Sequence, residues 1–341
     1  MRREAIIACC KKYSRGEHQQ AIPGIHTRLQ EKLTYIFDPA WEKDPENVPY
    51  EILTQIMDCY YCLPERPDLA ALFCWQAINC SYNELQLGDK SVKDQLQDAK
   101  GIDLLLAKIH SNDSLYRDYF DPYIKALPEK AYRFVAAYIL KGYVIKNACG
   151  DFKGNLKYAN QSFKRFCSTY PDLYGAICDS YGKAYLDNSN PRLEGNRIRM
   201  HTDENKKGVK LSDAEQKRKA NKNRQIIHSM AERLRELVVH HATQIEVKDD
   251  KNRTSVRKLT FTEQDALVFI IRFVMYASRC NNFHGNVASR LNSETVNQDT
   301  FRMYTNLFLL EYTLLAVSLH AQGYLSEDSL KKLKDNEQLL F

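Results

Sequence analysis

The stretch TEQDALVFIIRFVMYASRCNNFHG, residues 262–285, decides how the chain is read. Thr262 and Asp265 form a capping pair, the pattern with which many helices open. Behind them come Ala266, Leu267, Phe269, Ile270, Ile271, Phe273, Val274 and Ala277. These cover nearly every side of a helix, and a helix that is apolar all round belongs in the middle of a protein. Its far end differs: Arg279, Asn281, Asn282 and His284 gather polar chemistry there, and Gly285 follows. The plain reason for such a cluster is helix termination, because Asn and Gly end helices and Arg and His favour the negative end of the helix dipole. On an ideal helix a five-residue step turns side chains about 140° apart, so Arg279 and His284 converge only if the helix ends between them. A His at that place is favoured in its protonated form, which suits a group that takes and gives protons near neutral pH.

Helical periodicity extends outward from this stretch. Residues 50–62 and 68–87 read as helices, the second with Leu72, Trp75, Ile78, Asn79 and Tyr82 on one face. Further helical patterns cover 101–148 and roughly 155–185. Residues 187–211 lose apolar periodicity and read as a loop. Ser212 and Glu215 form a capping box for a helix reaching about residue 241. Residues 244–260 suggest a small hairpin or irregular loop. A last helix spans about 298–322 and stops at Gly323. The predicted fold class is all-α. Three parts are drawn: N-terminal helices at 1–99, a helical insertion with a basic loop at 100–211, and a C-terminal core at 212–341.

Composition narrows the function classes. A length of 341 residues suggests about two domains, and 44% hydrophobic residues suffice for a sizeable core. The apolar stretch near the N-terminus is too short for a signal-peptide core. The apolar run 307–319 is interrupted by Glu311 and is shorter than a membrane span. A soluble, cytoplasmic protein without a membrane partner is expected. The ten cysteines follow no secreted framework and are expected to be reduced. Cys59 and Cys62 form a C-x-x-C without a second pair, a spacing that also simply places two thiols on one helix face. No Gly-rich phosphate loop, paired-carboxylate motif or metal-ligand histidine spacing stands out, which argues against nucleotide hydrolysis and metal-dependent nuclease chemistry. Neither a metal nor a cofactor is expected.

The net charge of +6 is local. Lys206, Lys207, Lys210, Lys217, Arg218, Lys219, Lys222 and Arg224 face only Asp213 and Glu215 within their segment, so the rest of the chain is neutral. Such a run either attracts nucleic-acid phosphates or is the solvated start of a helix. Lys217, Arg218, Lys219, Lys222 and Arg224 are the candidate RNA contacts.

Arg279-x4-His284 with Gly285 resembles the R-x4-6-H signature of the HEPN superfamily, which includes ribonucleases of toxin–antitoxin, CRISPR-associated and phage-defence systems. Tyr276, Arg279, Asn281, Asn282, His284 and Gly285 sit in a string similar to the family's Tyr-x-x-Arg-Asn-Asn-x-x-His-Gly. Upstream, Phe73, Trp75, Ala77, Asn79 and Tyr82 are similar to a helix of its Apea-like, defence-associated branch. The resemblance covers roughly residues 50–90 and 262–322. One departure is Cys280, where the family usually has Asn, Asp or His directly after the Arg. A second R-x4-H, Arg235 to His240, has no Asn or Gly after it and reads as a solvated mid-helix face.

The resemblance implies a HEPN-like helical bundle and metal-independent endoribonuclease activity in antiviral defence, as a toxin or abortive-infection effector. His284 would transfer protons, Arg279 would stabilise the phosphate, and Asn281 or Asn282 would orient or contact RNA. It also implies a homodimer, and a regulatory or sensor protein as a further partner. The alternative is a non-catalytic HEPN-like scaffold, or a nucleic-acid-binding partner protein using the basic segment without cleavage. Some family members are of this inactive kind, and Cys280 favours it.

Overall fold

The structure, a computed structural model, describes residues 14–20, 22, 28–38, 47–89, 96–148, 159, 161–194, 197–200, 210–248, 253–283, 290–293 and 296–340. The described residues are predominantly helical and form two compact units. Unit 1 comprises 1–128 and 275–341, and unit 2 comprises 129–274. The sequence divisions at 99/100 and 211/212 therefore fall inside these units.

Unit 1 holds α1 (Tyr50–Cys62), α2 (Pro67–Gly88), α3 (Asp98–His110) and α4 (Asp113–Ala126). Unit 2 runs through α5 (Glu129–Asn147), α6 (Gln161–Thr169), α7 (Pro171–Ile177), a π-helical turn at Cys178–Gly182, and α8 (Lys183–Asn188). Next come a short antiparallel pair, β1 (Arg192–Glu194) and β2 (Arg197–Arg199), and the long α9 (Asp213–Val239). A second antiparallel pair follows, β3 (Ala242–Lys248) and β4 (Thr254–Thr260). Then come α10 (Glu263–Phe269), a π-helical turn at Ile270–Met275, and α11 (Tyr276–Phe283). The chain closes with α12 (Gln298–Ala321), α13 (Glu327–Lys332) and a 3-10 turn at Leu333–Leu339.

In unit 1, α12 is the most buried helix, and α2 packs against both α12 and α1. Asn297 caps its start, accepting from the Thr300 amide at 3.0 Å. Gly323 ends it with φ at 85°, and the Tyr324 amide reaches back to the Leu319 carbonyl at 2.9 Å. Only glycine adopts that backbone readily, so the stop read from the sequence has a conformational cause. Polar groups tie the helices at depth. The Ser81 and Ser318 hydroxyls bond to each other, and the Tyr60 and Tyr312 hydroxyls lie 2.7 Å apart.

In unit 2, α9 packs along α5, and an aromatic cluster fills the core. Phe166 meets Phe273 at 5.4 Å between ring centroids, and Tyr170 meets Phe261 at 4.8 Å. The Tyr170 hydroxyl donates to the Asp265 carbonyl at 2.8 Å, fixing the start of α10. Both capping boxes expected from the sequence are formed, at Ser212/Glu215 and at Thr262/Asp265.

The structure differs from the sequence expectation in three local respects. The α10–α11 segment is not one uniform α-helix: the π-helical turn at Ile270–Met275 changes the angular step just before Arg279. The stretch 187–211 contains the β1–β2 pair, where a loop was expected. Helix α9 ends at Val239, so His240 of the second R-x4-H caps the helix instead of lying within it. Of the apolar side chains of 266–277, Val268 and Tyr276 are half-buried and the others are buried, with Phe269, Phe273 and Met275 at 0% exposure. Among the described residues, no helix is long and apolar enough to cross a membrane.

Glu311, which interrupted the apolar run, is 2% exposed on α12, and its Oε2 has no hydrogen-bond partner among the described residues. Burial, then the neighbouring Cys59, pushes its carboxyl well above the ordinary 4.5, so it is held neutral. Below about pH 4.5 both folded and unfolded chains carry the proton and no penalty exists. As pH rises above that value the unfolded chain ionises while the folded chain does not, so stability falls, by roughly 1.4 kcal/mol per pH unit at most. Glu311→Gln removes this loss. Urea unfolding should show the variant more stable than the parent at pH 7 and nearly equal to it at pH 4. An equal difference at both values would contradict a buried neutral acid.

Candidate active site

Helix α3 begins at Asp98, and its position is set by α2. Gln86 accepts from the Gln97 amide at 3.0 Å, holding the residue just before the helix. Gly101 lets the two helices approach, since a Cβ there would come within 2.2 Å of the Tyr82 ring. The carboxylate of Asp98 thereby meets groups from two other helices. From α2, the Tyr82 hydroxyl donates to Oδ1 at 3.1 Å. From α11, the Tyr276 hydroxyl donates to Oδ2 at 3.2 Å, and Arg279 Nη1 donates to the same oxygen at 3.3 Å.

Around this carboxylate the site is only partly wet. Arg279 is 17% exposed and Asp98 32%. The guanidinium carbon of Arg279 lies 5.9 Å from the centroid of the Tyr276 ring, within cation–π range. Trp75 of α2 backs the same ring at 5.9 Å and is itself fully buried. Burial first, and then the negative Asp98, raises the Tyr82 hydroxyl far above its ordinary range. For Tyr276 burial again leads, followed by Cys280 and Asp98. Both hydroxyls stay protonated and act as donors. Arg279 is thus a cation placed by a carboxylate and an aromatic face, with edges suited to phosphate oxygens.

Each residue singled out from the sequence has a definite standing. Arg279 lies on α11, and Cys280 follows it half-buried, its Sγ at 4.0 Å from Arg279 Nη1. Asn281 and Asn282 belong to α11, with side chains outside the described part of the structure. His284 and Gly285 lie outside the described residues, as do Lys206 and Lys207. Of the basic residues on α9, Lys217, Arg218, Lys222 and Arg224 are exposed. Lys219 is half-buried and donates to the Asp187 carbonyl at 3.3 Å. These five belong to unit 2 and Arg279 to unit 1. Cys59 is buried and donates to the Ala70 carbonyl at 3.4 Å, and burial pushes the Cys62 thiol up to about 11. Among the described residues no three His, Cys, Asp or Glu side chains are grouped to hold a metal.

Asp98 was not legible as a site residue. In sequence it is an acid in the first turn of a helix, which is ordinary. What marks it is the company of Tyr82, 16 residues before it, and Arg279, 181 residues after it.

The geometry makes Asp98 the shared acceptor for three donors. Asp98→Ala leaves Arg279 and two tyrosine hydroxyls without it. A hydrogen bond to a charged group contributes about 1.5–3 kcal/mol, and partial exposure places this site at the low end. Asp98→Ala should therefore cost on the order of 1–2 kcal/mol, and Asp98→Ala should couple to Arg279→Ala in a double-mutant cycle of stability. Strict additivity would show that the pair contributes nothing.

Comparison with protein-family models, with curated proteins and with solved structures finds no match for this chain, so the chemistry of the site rests on its own residues.

Proposed function

We propose that the chain is a metal-independent endoribonuclease of the HEPN type, acting in antiviral defence. One observation carries this reading. The two stretches that resemble the family, 73–82 and 276–285, are almost 200 residues apart in the chain, yet their aromatic and polar positions meet. Trp75 packs on Tyr276, and Tyr82 shares Asp98 with Tyr276 and Arg279. That the two stretches share one side-chain cluster supports the reading.

In this reading the RNA supplies its own nucleophile. His284 takes the proton from a 2′-hydroxyl, and the oxygen attacks the adjacent phosphorus. The 2′-O–P bond forms, the bond to the 5′-oxygen breaks, and the leaving oxygen receives a proton. The products are a 2′,3′-cyclic phosphate and a 5′-hydroxyl. Arg279 faces the charge that grows on the phosphorane oxygens. Asp98 and Tyr276 hold the guanidinium in place so that less order is imposed during reaction. Asn281 or Asn282 orients the strand, and Lys217, Arg218, Lys219, Lys222 and Arg224 contact its phosphates.

The same reading includes a homodimer with the Arg/His pairs near the shared interface, and a regulatory or sensor protein that restrains or triggers cleavage. Most of the 266–277 side chains are buried, so other apolar surface is the better candidate for a second copy. Tyr50, Met57 and Tyr61 on α1 provide one exposed stripe, at helical spacings of seven and four. A non-catalytic binder is the second reading, favoured by Cys280 at the position after Arg279.

Pure protein should cut labelled RNA in EDTA and leave 2′,3′-cyclic phosphate ends. His284→Ala should slow cleavage on the order of 10²–10⁴-fold. Arg279→Ala should slow it on the order of 10²–10³-fold. His240→Ala, outside this cluster, should leave the rate nearly unchanged. RNA retained but uncut supports the binder, and cleavage that requires Mg²⁺ contradicts the mechanism.

A further inference from the structure

The β3–β4 sheet of unit 2 has one packed strand and one open strand. Thr243, Ile245 and Val247 of β3 are buried, and β3 packs on α9 and on the π-helical turn at Cys178–Gly182. Thr254, Val256, Lys258 and Thr260 of β4 are all exposed, Val256 at 51%. Among the described residues no third strand joins this sheet.

The register fixes which backbone groups of β4 face outward. Ala242 lies opposite Thr260, and just beyond them the Phe261 amide donates to the His241 carbonyl at 3.0 Å. That bond makes Ala242/Thr260 a non-hydrogen-bonded pair, and such pairs alternate with hydrogen-bonded ones along an antiparallel ladder. Ser255, Arg257 and Leu259 therefore bond to β3, while Thr254, Val256, Lys258 and Thr260 turn their N–H and C=O groups to the open side. The strand is seven residues long, with an unbroken register and neither Pro nor Gly. Proteins blunt a free edge by shortness, proline, a bulge or charge. On β4 only charge is present, as Arg257 and Lys258, and the strand carries no acid.

Those charges select the occupant. In the antiparallel register that overlaps two copies of β4 most fully, Arg257 of one faces Arg257 of the other, and one step along, Lys258 faces Lys258. Like charges directly opposed disfavour both registers. A register centred on Val256 avoids them but pairs only residues 254–258. An acidic strand instead meets opposite charge in full overlap. Asp179 already pairs with Arg257 at 2.7 Å, so Lys258 is the main contact for an incoming acid. We infer that the open edge of β4 takes an added strand from a protein partner, with Asp or Glu opposite Lys258 and an apolar or β-branched residue opposite Val256. Main-chain bonds along such an edge supply affinity, and alternate side chains supply specificity. The docking edge is read from β4 alone, whereas assigning the strand to the regulatory partner rests on the proposed function.

The test uses the full chain and two fluorescein-labelled peptides, Thr-Val-Glu-Glu-Val-Thr-Thr and its counterpart with Lys at both Glu positions. Anisotropy is measured for the parent, Val256→Pro and Lys258→Glu, with the fold of each checked by circular dichroism. The parent should bind the acidic peptide more tightly than the basic one. Val256→Pro removes an outward N–H and leaves the bonds to β3 in place, as proline on an edge strand permits, and it should abolish binding of both peptides. Lys258→Glu should weaken the acidic peptide and strengthen the basic one, each by up to about fivefold. A parent that binds neither peptide overturns the inference, as does a folded Val256→Pro variant that binds like the parent or a peptide preference that Lys258→Glu leaves unchanged. Light scattering that shows a dimer of the parent lost in Val256→Pro also overturns it, in favour of a second copy. If the peptides bind as stated while RNA stays uncut, the docking edge stands and the nuclease reading fails.

Discussion

Three helices of unit 1 meet at the carboxylate of Asp98, and the arrangement of the candidate site depends on that meeting. Tyr82, Tyr276 and Arg279 all donate to it at distances between 3.1 and 3.3 Å. A half-buried carboxylate is costly to hold away from water unless donors surround it. Its donors therefore constrain one another: Gly101 must be small for α3 to approach Tyr82, and Trp75 must back Tyr276 for that hydroxyl to reach the acid. The result is a cation at Arg279 whose position is set by groups of the protein itself. That is the property a group must have if it is to stabilise charge appearing only during reaction.

Exposure and partners explain what the half-buried Asp98 and the buried Glu311 do differently. Asp98 has partners and partial solvent access, and it orients a cation. Glu311 is deep in α12, and its Oε2 has no partner among the described residues, so it holds its proton instead. The same residue type of chemistry yields an anchor in one place and a neutral, pH-dependent weak point in the other, and the difference is solvation and donors alone.

Much of the helical fold was legible because its signals are local. The capping boxes at Ser212/Glu215 and Thr262/Asp265, the stop at Gly323 and the buried character of 266–277 all follow from neighbouring residues. The π-helical turn at Ile270–Met275 was not legible, since its apolar residues suit an α-helix equally well. Nor was the β1–β2 pair, whose strands are three residues each and too short to show alternation. At the site, Arg279 stood out through the string of polar residues that follows a buried helix. Asp98 did not, because its partners come from distant parts of the chain and nothing in its own surroundings sets it apart.

The central claim is that Arg279 and His284 work as one catalytic unit on RNA, with Asp98 fixing the arginine. The most direct measurement is the single-turnover rate of RNA cleavage in EDTA for the parent, Arg279→Ala, His284→Ala and the double variant. Groups that act on one transition state are strongly non-additive, so the double variant should be about as slow as the slower single variant. Two losses that multiply, or a parent that leaves the RNA intact, would contradict the account.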